Sequence, residues 1–586
     1  MILVEETELN EDYGTDVERK YHMRAKILSN EARDLADIEI PLGDREKITD
    51  WWGRTLLPDG TVLDVEEREL TEQDVVRAGR WEVRALKVAL PGVVPGCVID
   101  FGYTVKSETR YRSRRVKLQQ KWPVLRMRYR WKPTSAYPSA YRVYRSQGLD
   151  IAVERDRNAV LIEGRNLPPV AEEPMMPPDH EVRAAAILYY LSHNVSYKYF
   201  WDDKAKEFAK NTRRSASGGL VQRALSALEG HRDADLLTQL KQAYDWIGAN
   251  VDNPLFLGRT AAPQDVSAGA EDPLDQLFIE IARELGAAAH VVLAPDRRRH
   301  VWDRELKTLR QFEARLVAAY PPDEPDVEVI IVDPSSGLEF AEIPWWVSGV
   351  EGLMATREGA QSVFLPPSSP AKNIAQTNAK LRFSDDGTAL IAESTRVARG
   401  AVGVELAQLQ AGLTTAARQD RLDRMCGFGP DVEIRVAEAV VGYPGVTTKL
   451  TCDTERFLPE PVQSFGRYLL SWGGPWVGPP PQLPPGPREH PVVFDFPRVE
   501  ILELEFNLPD GFRLEELPAD TNLVTPYGKY ALAFSSTPEA AKVERAFALL
   551  PLAVPPDEYD ALRAFLEDVR QGDATRLTIE RLGDRP

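Results

Sequence analysis

Apolar and polar residues take strict turns along several early stretches of the chain. Tyr21, Met23, Ala25 and Ile27 are separated by His22, Arg24 and Lys26, and Phe101, Tyr103 and Val105 by Gly102, Thr104 and Lys106. A period of two places each set on one face of a strand. Turn signals at Pro58-Asp59-Gly60 and Pro91-Gly92 lie between such runs. An antiparallel β-sandwich is therefore predicted for roughly the first 165 residues. The period then lengthens. Leu236, Leu237, Leu240, Ala243, Tyr244 and Ile247 form a stripe at helical spacing, and Leu274, Leu277, Phe278, Ile281, Ala282 and Leu285 form a second. The second stripe has Asp272 as N-cap, Pro273 in its first turn and Gly286 at its close. Strands are expected at Ala289–Leu293, Phe312–Tyr320 and Val327–Val332, which makes this region an α+β domain. Alternation returns at Leu502, Leu504, Phe506 and Leu508. Near the end, Pro555-Pro556-Asp557 opens a short helix with Tyr559, Leu562, Phe565 and Val569 on one side.

Proline ends helices and interrupts central strands, so three proline-rich seams divide the chain: Leu167 to Asp179, Leu365 to Ala371, and Gly473 to Arg488. They give residues 1–166 as a β-sandwich, 167–365 as an α+β domain, and 366–586 as a β-rich region of one or two modules. The seam at 473–488 reads as an extended arm. A chain of 586 residues is too long for one core, and roughly three to five domains are expected. No internal repeat is visible in the sequence.

Composition narrows the classes. With 43% hydrophobic and 28% charged residues the chain reads as an ordinary globular protein, and no apolar run is long enough for a transmembrane helix. A formal charge of −18 argues against broad nucleic-acid binding. The ten basic residues between Arg110 and Lys132 do not reverse this, because Leu125, Met127, Tyr129 and Trp131 alternate with Arg126, Arg128, Arg130 and Lys132. That is a half-buried strand with one solvated face; a local role against an anionic glycan or an acidic partner is the second reading. The opening MILVEETELNEDY lacks the pattern of a signal peptide, so the protein is cytoplasmic or a leader is missing. Cys97, Cys426 and Cys452 are too few for a disulfide framework or a zinc site. Cys426 and Cys452 either pair in an oxidising compartment or remain buried thiols. No phosphate-binding loop, dinucleotide fingerprint or metal-binding His-Glu-x-x-His occurs, and no cofactor is expected.

Several loosely matching stretches, in order, resemble one bacterial family. They are AKILSNEARDLADIEIPLGDREKITDWWGRTLLPDGTVLDV and LPGVVPGCVIDFGYTV early in the chain, and NLPDGFRLEELPADTNLVTPYGKYALAFSS and VPPDEYDALRAFLEDV late in it. The resemblance covers nearly the whole chain. It implies an N-terminal domain of unknown function, a central transglutaminase-like domain of papain-type fold, and a C-terminal β domain. Active members of such folds need a cysteine at a helix N-terminus, a histidine on a following strand and an acid that orients it. The family pattern resembles Gly-x-Cys-x-Asp, Phe-x-His and Val/Leu-Asp-Pro. Aligned without gaps, Gly269 takes the glycine position and Glu271 the cysteine, Phe312 precedes Ala314 at the histidine, and Val332-Asp333-Pro334 supplies the acid. No Cys, Ser or Thr lies in Ala268–Gln276, and no histidine between His300 and His490.

The resemblance thus implies a degenerate triad at Glu271, Ala314 and Asp333. The implied function is a binding or scaffolding protein whose old cleft, at Glu271, Asp272, Phe312, Asp333, Trp345 and Trp346, takes a protein, peptide or glycan partner. Family members usually carry an export signal, which implies a periplasmic or cell-surface location. The rival reading is a hydrolase or acyltransferase with an unidentified nucleophile; a third is a structural subunit of an envelope complex. Three features have plainer readings. Glu271, Asp272 and Asp275 with Asp333 cap a helix before they bind calcium or move protons. Asp296-Arg297-Arg298-Arg299-His300 is a solvated loop before it is an anion site. Trp345-Trp346 is buried packing before it is an aromatic platform.

Overall fold

Alternation along the early strands builds a two-layered core, seen in a computed structural model of the protein that describes residues 1–13, 16–43, 45–78, 81–108, 113–191, 195–211, 218–251, 273–323, 329–383, 389–408, 415–426, 432–442, 447–457, 467–472, 477–478, 480–508 and 510–581. The chain forms two units. One comprises Met1–Glu173, Pro178–Tyr197 and Glu305–Thr308; the other comprises Pro174–Pro177, Lys198–Arg304 and Leu309–Pro586. In the first unit an eight-stranded sheet runs Asp150–Asp156, Ala159–Leu167, Val124–Lys132, Ile2–Tyr13, Asp16–Lys26, Val98–Ser107, Glu46–Leu56, Val62–Val65. A second sheet, Ser139–Tyr144, Ala185–Tyr190, Ser113–Lys117, supplies Val116, Ala186 and Leu188 to the core formed by Ile2, Leu9, Met23, Phe101 and Trp131.

Three sequence expectations change. The sandwich is not wholly antiparallel, since Ile2–Tyr13 pairs in parallel with Val124–Lys132. The border at 166 falls too early: Ala185–Tyr190 hydrogen-bonds between two strands of the first unit, because its buried Ala186 and Leu188 complete that core. In the basic strand, burial follows the alternation from Met127 onward, whereas Leu125 is 47% exposed. Its basic face meets acids, with Arg130 2.6 Å from Glu8, Lys132 3.2 Å from Asp12 and Arg128 3.7 Å from Glu163.

The second unit contains an α+β part and a second sandwich, the β-rich C-terminal region. The sandwich has an eight-stranded sheet ordered Val432–Gly442, Thr447–Phe457, Ala389–Arg399, Ile374–Phe383, Arg498–Asn507, Ala540–Leu549, Gly528–Ser536, Thr521–Val524, and a smaller one ordered Arg467–Ser471, Arg576–Arg581, Phe512–Glu516. The helix Tyr559–Asp573 closes its core with Tyr559, Leu562, Phe565, Leu566 and Val569, which includes the stripe expected from sequence.

A repeat that the sequence hides is plain in this topology. Leaving aside the edge strands Val62–Val65 and Thr521–Val524 and the small Asp37–Leu42, Trp81–Ala89, Thr71–Ala78 sheet, ten strands of the first sandwich can be numbered in chain order. Its large sheet then reads 3-4-2-1-6-9-8 and its small sheet 5-10-7. Ten strands of the C-terminal sandwich give the same two strings. Even the parallel pair recurs, between strands 1 and 6 of each: Ile2–Tyr13 with Val124–Lys132, and Ile374–Phe383 with Arg498–Asn507. A fold constrains which face each residue meets more than which side chain stands there, so two sandwiches can share every pairing without sharing a visible sequence repeat.

Within the C-terminal core, Arg545 is 2% exposed and donates to both carboxylate oxygens of Asp573, at 2.7 and 2.9 Å. Tyr530 donates to the same carboxylate at 2.9 Å, and burial followed by the Asp573 charge pushes its phenol far above its ordinary pKa. Removing one member strands a buried charge. Arg545→Ala is expected to cost about 3–5 kcal/mol, read as a lower urea midpoint; an unchanged midpoint would show the network to be idle.

Candidate functional site

The α+β part is built on an antiparallel sheet ordered Ile330–Val332, Ala314–Tyr320, Ala288–Ala294, Val350–Ala355, Ala360–Leu365. The helix Pro273–Glu284 packs on the strands Ala288–Ala294 and Ala314–Tyr320. That helix buries Leu274, Leu277, Phe278, Ile281 and Ala282, the stripe read from sequence. Glu271 and Asp272, at the cysteine position and the N-cap, lie outside the described residues.

The strand Ala314–Tyr320 decides what can face the helix. Arg315 reaches Asp275, in the helix's first turn, at 3.8 Å; the two side chains are 8% and 0% exposed. Neighbours on a strand point to opposite faces. Ala314 accordingly joins Ile343, Val347 and Met354 in the core on the other side of the sheet. The ungapped alignment put Ala314 at the histidine position; the side chain that faces the helix is Arg315. Arginine holds its proton throughout the range of proteins and cannot act as a base.

Asp333 is fully buried and its carboxylate accepts from Ser335 N at 3.0 Å and Ser335 Oγ at 2.6 Å. Its carbonyl accepts from Tyr244 Oη at 3.1 Å and Ser336 Oγ at 2.8 Å, and Tyr244 also donates to the Leu338 carbonyl at 2.7 Å. The Asp333–Leu338 turn is thereby tied to the helix Leu236–Asn250. His300 Nε2 lies 3.0 Å from Glu313 and 2.9 Å from the Gln311 carbonyl. His290 stacks on Tyr320, and burial followed by the nearby Arg283 charge lowers its pKa. Among the described residues no group of three or more His, Cys, Asp or Glu is placed to hold a metal.

The other cleft candidates divide. Phe312 is 1% exposed and packs against Trp201 and Trp302, so it is core and not groove lining. Trp345 and Trp346 are half-buried in a single helical turn. Arg298 stacks on both rings and Arg297 on Trp345, at 5.2–5.5 Å. The Asp296–His300 segment is not simply a solvated loop. Asp296 is 3% exposed and bound by Arg298, and Arg297 donates to the carbonyls of Trp345 and Asp495. The signal missed in sequence was the pairing of an arginine run with a distant Trp-Trp, which only the fold joins.

Asp333, Ser335, Ser336, Trp345 and Trp346 line a cavity of about 40 Å³ whose far wall is Ala401, Val404 and Gln408 of the helix Gly400–Gln408. A single water takes about 30 Å³, whereas ligand pockets span about 300–1,000 Å³. That helix is held over the spot by Gly400, at a φ of 62° where a Cβ would come within 2.2 Å of the Lys372 carbonyl. Buried Asn373 accepts from Ala401 N at 2.9 Å. A wider concavity of about 420 Å³ lies on the outer face of the C-terminal sheet, lined among others by Lys380, Glu393, Glu503, Glu505, Lys542 and Glu544. Two of the three cysteines, Cys426 and Cys452, form a disulfide, and the third, Cys97, is buried in the first sandwich.

Two family models match the chain. Residues 15–171 match one described as "Domain of Unknown Function with solved-structure structure (DUF3857)", and residues 481–579 match another described as "Domain of Unknown Function with solved-structure structure (DUF3858)". The first ends before strand 10 of its sandwich; the second begins before strand 6 of its own. No curated protein matches the chain. Among solved structures, a crystal structure at 2.00 Å of "a putative protease" from Parabacteroides distasonis ATCC 8503 shares 14% identity over 99% of both chains, with a TM-score of 0.53. At that identity the likeness is one of fold. The structure of native yeast LTA4 hydrolase aligns over 36% of this chain and 34% of its own, at 7% identity and a TM-score of 0.18, and carries no argument.

Beside the small cavity, burial and then the Asp495 charge raise the Glu405 carboxyl to about 7. A carboxyl whose pKa is raised in the folded state stabilises that state below its unfolded value, and the contribution is lost as pH rises through the folded value. The thermal midpoint should therefore fall between pH 5 and pH 8, and Glu405→Gln should flatten that fall, as differential scanning fluorimetry across the range would show.

Proposed function

We propose that this protein is a non-catalytic transglutaminase-like protein that serves as a binding or scaffolding component of the bacterial envelope. One observation carries the reading: the helix-facing position on the strand Ala314–Tyr320 holds Arg315, ion-paired to Asp275, where an active domain needs a histidine against a thiolate. The cysteines support it, since neither the disulfide nor the buried Cys97 offers the central domain a nucleophile. The Asp333–Ser335 contact does not substitute. Ser335 and Asp333 are both 0% exposed, so the hydroxyl is not presented to a substrate. The outer face of the C-terminal sandwich, with its wider concavity, is a candidate partner surface in addition to the old cleft.

The rival reading, a hydrolase or acyltransferase, draws on the description of the Parabacteroides structure. Release of peptides from casein, dansylcadaverine incorporation and p-nitrophenyl acetate hydrolysis separate the two. All three rates are expected at the buffer level and indifferent to iodoacetamide. Turnover that disappears in Asp333→Ala would sink the non-catalytic reading.

The envelope location rests in part on the disulfide, which persists in oxidising compartments and is rare in the cytosol. Protein taken from intact cells and denatured with an alkylating reagent should then carry one label, on Cys97; three labels would place it in a reducing compartment. Joining positions 26 residues apart stabilises by about 3 kcal/mol, so Cys426→Ser with Cys452→Ser should lower the thermal midpoint.

A further inference from the structure

On the strand Glu46–Leu56, Trp51 turns into the first sandwich and is 7% exposed, while Trp52 turns outward. At 39% exposure it is the one exposed tryptophan among the described residues. Strand pairing sets its neighbours in two rows. His22, Gly102 and Trp52 stand side by side on three adjacent strands, and Arg24, Asp100 and Arg54 form the next row. Gly102 leaves the middle of the upper row empty, and the indole lies over that gap: a Cβ there would come within 2.9 Å of three indole atoms. The His22 ring and the Arg54 guanidinium flank it at 5.5 and 5.8 Å.

The lower row fixes the donors. Asp100 is 0% exposed and receives Arg24 Nη2 at 2.7 Å and Arg54 Nη2 at 2.8 Å, with His22 Nε2 at 2.9 Å. Burial opposes ionisation of Asp100, but these hydrogen bonds outweigh it and hold the carboxyl at about 2. A guanidinium has five N–H donors. Asp100 takes one from Arg24 and two from Arg54, and these side chains remain 44% and 41% exposed. The result is an aromatic plate rimmed by rigid, planar donors that are locked in place before any ligand arrives.

The fold does not require this arrangement. The C-terminal sandwich has the same strand order, and its equivalent strand, Val432–Gly442, contains no tryptophan. Elsewhere on this sheet face Arg130 meets Glu8 and Lys132 meets Asp12, each one to one. Here two arginines and a histidine share one buried acid.

We propose that this patch binds a uronate-bearing oligosaccharide, whose pyranose C–H face stacks on Trp52 while its carboxylate is held by Arg54 and Arg24. The plate calls for a flat apolar face, and the rim, being all donors, calls for acceptors, of which a carboxylate fits a guanidinium bidentately. The site is independent of whether the central domain turns over a substrate.

Titration calorimetry on the full chain with trigalacturonate, maltotriose and ATP tests it. Trigalacturonate should bind, with maltotriose and ATP each weaker by about tenfold or more. Trp52→Ala should weaken trigalacturonate binding by about tenfold at an unchanged thermal midpoint, and Trp52→Phe should retain most of it. Arg54→Met, which takes two hydrogen bonds from buried Asp100, should weaken binding by about tenfold and also lower the midpoint of a chain that still folds. If Trp52→Ala unfolds, Trp52→Phe against Arg54→Met decides the matter. No binding by wild type up to about 5 mM, or wild-type affinity in Arg54→Met, overturns the proposal. Equal affinity for maltotriose overturns the uronate preference, and tighter ATP binding assigns the patch to phosphate.

Discussion

A strand hands its side chains to two faces in strict turn, and most of what this chain can do follows from which face each residue receives. A shift of one position exchanges core for surface. Trp51 and Trp52 are adjacent and chemically identical, yet one packs beside Phe101 in the core and the other lies in solvent over Gly102. Ala314 and Arg315 divide in the same way between an apolar core and a buried ion pair. The same parity, repeated over ten strands, produced two sandwiches of one topology from stretches with no visible repeat.

Charges taken out of water are tolerated where several donors converge on them. Asp100 in the first sandwich and Asp573 in the C-terminal one are each held by arginine and a further donor. Their settings differ. The partners of Asp573 are themselves buried, with Arg545 at 1% side-chain exposure, so that network serves the core. The arginine partners of Asp100 keep two fifths of their surface in water, so the fixed acid orders groups that a ligand can still reach. Burying a carboxylate is costly, and in each case the geometry of its donors tells what the cost supports.

Much of the fold was legible because local periodicity suffices for it. The stripe from Leu274 to Ile281 is a helix face, and Leu502, Leu504 and Phe506 are one face of a strand, in any surroundings that bury them. What escaped needed partners far apart in the chain. The strand Ala185–Tyr190 belongs to the first sandwich because Ser113–Lys117 and Ser139–Tyr144 leave a place between them. The arginines after Asp296 read as a loop until Trp345 and Trp346 meet them. The Trp52 patch needs three strands in register, although its residues are ordinary when read singly. At the candidate site, matching Phe-x-His by sequence lands on Ala314, whereas the fold turns Arg315 toward the helix.

The parallel pair at the centre of each sandwich also governs how the chain can assemble. Its partners, Ile2 with Val124 and Ile374 with Val499, lie about 120 residues apart, and loop closure over such a span must precede the contacts that reward it. Neither sheet can be zipped up locally from one hairpin to the next. During synthesis the first sandwich must wait for its sixth strand with an open edge on Ile2–Tyr13, and the C-terminal one waits for Arg498–Asn507. An unpaired central strand is a template for any passing chain. The same connectivity that gives each sandwich its firm centre therefore makes its folding slow, late and dependent on protection from neighbours.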